Sequence, residues 1–184
     1  MRVLAISGSL RAASYNTALL REAARLAPPE LDIELYSGLE SLPPYNEDWD
    51  NADAPAEAAR LRRAVAEADA LLISTPEYNG TIPGQLKHAI DWASRPPGKN
   101  AVLWGKPAAV VGASTSQYGA LWAQDHVRKA LGLAGARVLE SGVAVPQASE
   151  RFGADGTLTD VELRGQLEKL LTELAEYGYL AVAA

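Results

Sequence analysis

The sequence predicts an α/β fold in which a five-stranded parallel sheet lies between two layers of helices, a three-layer sandwich. Two observations favour this fold. Short apolar runs alternate with segments of helical spacing along the chain, and polar loops follow several of the apolar runs. Nearly continuous apolar runs are typical of parallel strands that are covered on both faces. The chain has 184 residues, enough to bury a core, and we expect one domain over 1–184.

Five short apolar runs predict the strands. They cover residues 2–7, 32–36, 70–74, 107–113 and 137–145. Their alternation with helices requires right-handed crossovers, which place helices on both faces of the sheet.

Five segments between and after these runs carry apolar residues at the spacing of an amphipathic helix. They cover residues 16–27, 55–68, 83–94, 120–134 and 159–180. Pro28 ends the first of them, and Pro83 suits the first turn of the third. The long connection 37–53 is rich in Pro, Asn and acidic residues. Connections of this length are usually functional or disordered.

The predicted strand order is 2-1-3-4-5, the flavodoxin-like arrangement of a doubly wound sheet. In such sheets ligands bind beyond the carboxyl ends of the strands, at the switch between the first and third strands. We therefore expect the loops that follow strands one, three and four to meet there. These loops are rich in polar residues and glycine.

The loop 8–17 joins the first strand to the first helix and predicts a phosphate site. A helix N-terminus offers free backbone N–H groups and the positive end of the helix dipole. Arg11 adds a fork of donors, and short polar side chains add more: Ser9, Ser14, Asn16 and Thr17. A Walker loop and a three-glycine dinucleotide fingerprint are both missing, so a terminal monophosphate is favoured. The alternative is a serine-rich turn that only caps a helix.

Composition excludes several function classes. The formal net charge is −6 without a cluster of Lys and Arg, which argues against nucleic acid and anionic membranes as partners. The chain has no Cys and only two His, so neither thiolate catalysis nor a histidine-built metal site is expected. No apolar run approaches the roughly 20 residues of a membrane helix. Because Met1-Arg2 leads directly into a predicted strand, we expect no signal peptide. We predict a cytoplasmic protein.

Three sequence motifs resemble those of a known family. They are 8–11 with Ser14 and Asn16, then 75–80 followed by 82–84, Leu86-Lys87, Ala89 and Asp91-Trp92, and more loosely 42–48. With these motifs the chain resembles the NAD(P)H-dependent FMN reductases, which include quinone, azo-dye and chromate reductases of flavodoxin-like fold. The resemblance extends over nearly the whole chain. It implies FMN as cofactor, NADPH or NADH as co-substrate, and a quinone or similar small molecule as electron acceptor.

The resemblance also implies which residues contact FMN. The phosphate and ribityl chain would be held by the polar residues of the first loop, the ring by the second loop, and its far edge by the loop after strand four. These residues are Ser9, Arg11, Ser14, Asn16, Thr17, Pro76, Glu77, Tyr78, Asn79, Gly80, Ser114, Thr115 and Gly119. No catalytic side chain and no metal is expected, because the flavin carries the chemistry.

Some assignments stay open at this point. Glu77 either touches flavin or is a solvated loop carboxylate, and Arg11 has a competing role as a surface ion-pair partner. Relatives often have an Arg near the start of the fourth helix, where this chain has 119–122 without one. The resemblance therefore implies neither contacts to the NADPH phosphate nor subunit pairing for that helix.

We expect a homodimer or homotetramer with Trp92 and Trp122 at the interface, since aromatic residues are enriched there; plain core is the alternative for these two and for Trp104. His88 is expected to be a surface or interface residue. Alternative functions are a flavodoxin-type electron carrier, an FMN reductase that supplies reduced FMN to a partner monooxygenase, and a flavin-free binding domain.

Overall fold

The computed structural model of the chain describes residues 1–51 and 53–182. Its centre is a five-stranded parallel sheet in the order β2-β1-β3-β4-β5. The strands are β1 (Arg2–Ser7), β2 (Asp32–Leu35), β3 (Ala70–Thr75), β4 (Pro107–Ala113) and β5 (Arg137–Val145). The predicted flavodoxin-like fold and strand order are confirmed.

Six α-helices accompany the sheet in the described part of the chain. They are α1 (Tyr15–Leu26), α2 (Ala56–Glu67), α3 (Gly84–Ala93), α4 (Leu121–Leu133), α5 (Ala148–Arg151) and α6 (Val161–Val182). The five predicted helices are confirmed, with ends displaced by a residue or two, and the four-residue α5 was missed. Short 3-10 turns occur at Leu39–Ser41, Glu47–Trp49 and Gly98–Asn100.

Two hydrophobic clusters cover the two faces of the sheet. Alternate residues of β1 point to opposite faces, so that Val3 packs under α1 and α6 while Leu4 packs under α2, α3 and α4. β3 and β4 are buried along their whole length, as expected for central strands of a parallel sheet. This arrangement fixes the carboxyl ends of β1, β3 and β4 side by side.

The long connection between β2 and α2 is packed onto neighbouring helices. The Gln85 side-chain amide donates to the carbonyls of Leu39 and Leu42, at 2.6 Å each. His88 Nδ1 accepts from the backbone N–H of Tyr45 at 3.1 Å. His88 therefore has a local role on α3, holding the connection in place. No described helix is both long and apolar enough to cross a membrane.

The tryptophans correct one prediction. Trp92 is fully buried, and its indole N–H donates to the Pro43 carbonyl at 2.9 Å. The prediction that Trp92 lies at a subunit interface is wrong, because its side chain is already covered within the chain. Trp122 is half exposed, so it is not plain core. Trp104 is also half exposed, and the alternative that it lies in the core is wrong.

Candidate functional site

The loops after β1, β3 and β4 meet at the carboxyl edge of the sheet, as the predicted topology requires. They enclose a cleft of about 130 Å³. Its lining includes most of the residues named from the sequence, together with Tyr15 and Ala113: Ser9, Arg11, Ser14, Tyr15, Asn16, Pro76, Glu77, Tyr78, Ala113, Ser114 and Thr115. Thr17, Asn79, Gly80 and Gly119 lie outside this lining. Tyr15, the first residue of α1, was not predicted as a site residue. Nothing in the sequence distinguished it from the polar residues beside it.

The start of α1 forms one wall of the cleft. Ser14 is the N-cap residue, and its hydroxyl oxygen accepts from the backbone N–H of Thr17 at 3.2 Å. A cap of this kind leaves the hydroxyl proton of Ser14 free to donate. The N–H groups of Tyr15 and Asn16 belong to the first turn, where a helix has no partners of its own. The wall therefore presents donors and a positive dipole end to the cleft.

The hydroxyl of Thr17 points to a different partner. It donates to the Ser7 hydroxyl at 2.9 Å, and the Ser7 hydroxyl in turn reaches the Ser9 carbonyl at 3.3 Å. This short chain of hydroxyls ties α1 to the end of β1. The structure thus gives Thr17 a role in shaping the loop, and contact of its side chain with a phosphate stays a prediction.

Asn16 is buried and joins three elements. Its Oδ1 accepts from the Ser74 hydroxyl at 2.8 Å and from the Ala113 N–H at 3.0 Å, while its Nδ2 donates to the Ala113 carbonyl at 3.0 Å. Since Ser74 lies in β3 and Ala113 ends β4, the side chain fastens α1 to both strands. One amide N–H of Asn16 is left over for a ligand in the cleft.

Arg11 is the cation of the cleft. Its side chain is exposed and lines the cleft beside Ser9. Within residues 1–51 and 53–182, no carboxylate pairs with it. The role of a surface ion-pair partner is therefore not seen, and the guanidinium can serve an anion.

The segment after β3 is a tight hairpin turn. Tyr78 and Thr81 exchange two backbone hydrogen bonds of 3.2 Å across it. The two residues between them have positive φ, 52° at Asn79 and 73° at Gly80. Asn-Gly is the preferred pair for such a turn. Asn79 and Gly80 thus form the tip of the turn, while Pro76, Glu77 and Tyr78 face the cleft.

Glu77 lies between the hairpin turn and the next loop. It lines the cleft, and its Oε2 accepts from the backbone N–H of Ala123 in α4 at 3.2 Å. The carboxylate is thus more than a solvated loop side chain, and contact of Glu77 with flavin stays a prediction. The sequence could not show this, because Ala123 lies 46 positions along the chain.

The loop after β4 forms the opposite wall. The Ser114 N–H donates to the Val145 carbonyl at 3.1 Å, so the loop is tied to the end of β5. Gly119 has a φ of 59°, and a Cβ there would lie 2.9 Å from the Ala144 backbone. Gly119 is therefore required by packing against β5. Its predicted place at the far edge of a flavin ring stays a prediction.

The chemistry of the cleft fits part of a flavin nucleotide. Hydroxyls, a guanidinium and a helix N-terminus are a donor set suited to a phosphate group. Typical ligand pockets have volumes of about 300–1,000 Å³, so this cleft is too small to enclose a tricyclic ring. Its donors suit a phosphate and a polyol chain. In the described residues no group of three or more His, Cys, Asp and Glu could hold a metal ion.

Comparisons with known proteins agree with this geometry. A family model described as NADPH-dependent FMN reductase matches residues 1–150. The chain is 43% identical to an NAD(P)H-dependent FMN reductase of Pseudomonas aeruginosa, over 95% of this chain and 93% of the relative. It is 34% identical to a 2-hydroxy-1,4-benzoquinone reductase of a Burkholderia species, over 96% of each chain.

A solved structure gives the same result in three dimensions. The flavoenzyme FerB of Paracoccus denitrificans, an NAD(P)H:(acceptor) oxidoreductase, superposes with a TM-score of 0.86 and 36% sequence identity. The match covers 97% of each chain.

Proposed function

The chain belongs to the NADPH-dependent FMN reductase family, and we propose that it is an FMN-dependent NAD(P)H oxidoreductase whose acceptors are quinones or similar small molecules. The observation that carries this proposal is the donor-lined cleft at the start of α1, at the switch point of a sheet whose family uses flavin. Relatives named as quinone reductases support the acceptor class. Azo dyes, chromate and free flavin are further candidate acceptors.

The residues of the chain would bind and orient the cofactor. When bound, FMN supplies the redox chemistry. Arg11, the Ser9 and Ser14 hydroxyls and the first turn of α1 would hold the phosphate. The backbone at Pro76 and Glu77 on one side, and at Ser114 and Thr115 on the other, would position the ring and leave one face open to nicotinamide and then to the acceptor. No side chain has to act as nucleophile or base.

We expect the purified protein to oxidise NADPH with menadione as acceptor, because one exposed ring face can serve both substrates in turn. The measurement is steady-state NADPH oxidation, together with a visible spectrum before and after NADPH addition. Double-reciprocal plots should be parallel, the pattern of ping-pong turnover.

Other outcomes separate the alternatives. A protein that holds flavin but shows no turnover would be an electron carrier of the flavodoxin type. Complete and rapid loss of flavin on dialysis would favour a role in supplying reduced FMN to a monooxygenase. A colourless protein that does not take up FMN would be a flavin-free binding domain, and the proposed function would be wrong.

We further propose a homodimer or homotetramer formed in part through the exposed start of α4. Trp122 is half exposed, and its ring lies 4.8 Å from that of Tyr118. Light scattering of the flavin-loaded protein at micromolar concentration should give a dimer or tetramer mass, and Trp122→Ala should lower it, whereas Trp49→Ala, at another half-exposed tryptophan, should not. A monomer mass for the wild-type protein would contradict the proposal. The cytoplasmic location and the single-domain organisation stay predictions.

A further inference from the structure

The helix α4 begins without a cap from its own sequence. Its N-cap residue is Ala120, which has a φ of 63°, makes no side-chain capping bond and is followed by a first turn without acidic residues. The first N–H groups of a helix have no partners within the helix, and the positive dipole end is not balanced locally. Helices that start this way need a partner from elsewhere in the fold.

Glu77 supplies that partner from the hairpin turn after β3. Its Oε2 lies 3.2 Å from the N–H of Ala123, in the first turn of α4. A carboxylate at this position satisfies an orphan donor and balances the dipole. The hairpin turn and α4 are thus joined at Glu77, on the side of the turn that faces the cleft.

A second bond joins the same two elements on the far side of the turn. Thr81 Oγ1 lies 2.8 Å from His126 Nδ1 on α4. Glu77 comes before the Asn79-Gly80 tip and Thr81 comes after it, so both arms of the hairpin are fastened to one helix. Because α4 starts just after the loop 114–119, this attachment also fixes the distance between the two walls of the cleft.

We propose that Glu77 is a positioning residue, which caps α4 and so holds the hairpin turn at a fixed distance from the loop after β4. The inference rests on the proposed function, because these are the two walls between which the flavin ring would lie. Glu77 acts on the cofactor through the geometry of the cleft, by way of its hydrogen bond to α4, and its charge makes no direct contact with the cofactor.

The variants Glu77→Ala and Glu77→Gln separate these roles, since a glutamine Oε1 can still accept from Ala123 while carrying no charge. Amide hydrogen exchange, followed by NMR on the flavin-free protein, should speed up about tenfold at Ala123 and Thr81 in Glu77→Ala, a factor typical of a lost helix cap. Exchange in Glu77→Gln should stay within about threefold of wild type. FMN dissociation constants should follow the same order.

A matched control is Asp125→Asn, which removes a negative charge from exposed Asp125 on α4 and leaves the cap in place. It should change neither exchange at Ala123 nor FMN affinity. Equal loss of FMN affinity in Glu77→Gln and Glu77→Ala, with unchanged exchange at Ala123, would overturn the proposal and assign a direct effect of charge. Unchanged exchange in every variant would show that the cap is not formed. If the wild-type protein binds no FMN, the proposed function is wrong. The exchange rates of the flavin-free variants still test whether Glu77 caps α4.

Discussion

Arg11→Ala is expected to weaken FMN binding roughly 10- to 150-fold, which corresponds to about 1.5–3 kcal/mol for a lost hydrogen bond to a charged group. The guanidinium lines the cleft beside the first turn of α1. In the described ranges no carboxylate competes for it. Arg11→Ala should therefore remove the charged partner of the phosphate without leaving a carboxylate of the protein unpaired.

Titration of FMN fluorescence at two salt concentrations measures this effect. Arg11→Lys should give an intermediate loss, because an ammonium keeps the charge but not the planar fork of donors. Arg21→Ala is the control, since Arg21 is exposed on α1 and lies outside this cleft. Its FMN affinity should stay close to that of wild type. An affinity unchanged by Arg11→Ala would remove Arg11 from the phosphate site.

The sheet and its helices could be predicted from the sequence because their signals are local. The strands β1, β4 and β5 begin and end at the residues predicted, and a turn-forming residue follows the last residue of each: Gly8, Ser114 and Pro146. The strand order was predicted from the alternation of strands and helices with right-handed crossovers, which place helices on both faces of the sheet. Convergence of three loops on one edge then needed no further information.

Side-chain assignments within the site depended on partners far along the chain. The Thr17 hydroxyl was expected to face a ligand, but Ser7 lies within reach once β1 and α1 pack together. Trp92 was predicted at a subunit contact, but in the folded chain its indole N–H bonds to Pro43 in the connection after β2. Glu77 could not be assigned, because the helix end that it caps is brought to it by β4. A sequence pattern gives residue type and spacing but not the partner that tertiary packing selects.

From the sequence, Asn16 was predicted only to contact FMN, and the structure adds a second role that is independent of any ligand. The buried side-chain amide of Asn16 makes three hydrogen bonds that hold α1 against β3 and β4. A buried donor or acceptor that loses its partner costs about 1–3 kcal/mol. In Asn16→Ala, three groups lose their bond to Asn16: the Ser74 hydroxyl, the Ala113 N–H and the Ala113 carbonyl. Water from the cleft can reach some of them.

We therefore expect Asn16→Ala to lower the free energy of unfolding of the flavin-free protein by about 2–4 kcal/mol. Urea unfolding followed by circular dichroism measures it. Thr17→Val is the matched control at the neighbouring position: it removes one half-buried hydroxyl and should cost about 0.5–1.5 kcal/mol. If Asn16 served only to contact FMN, the flavin-free Asn16→Ala protein would be as stable as wild type, and the difference would emerge only when FMN is added. A loss already present without flavin means that the Asn16 side chain joins α1 to β3 and β4 before any ligand binds.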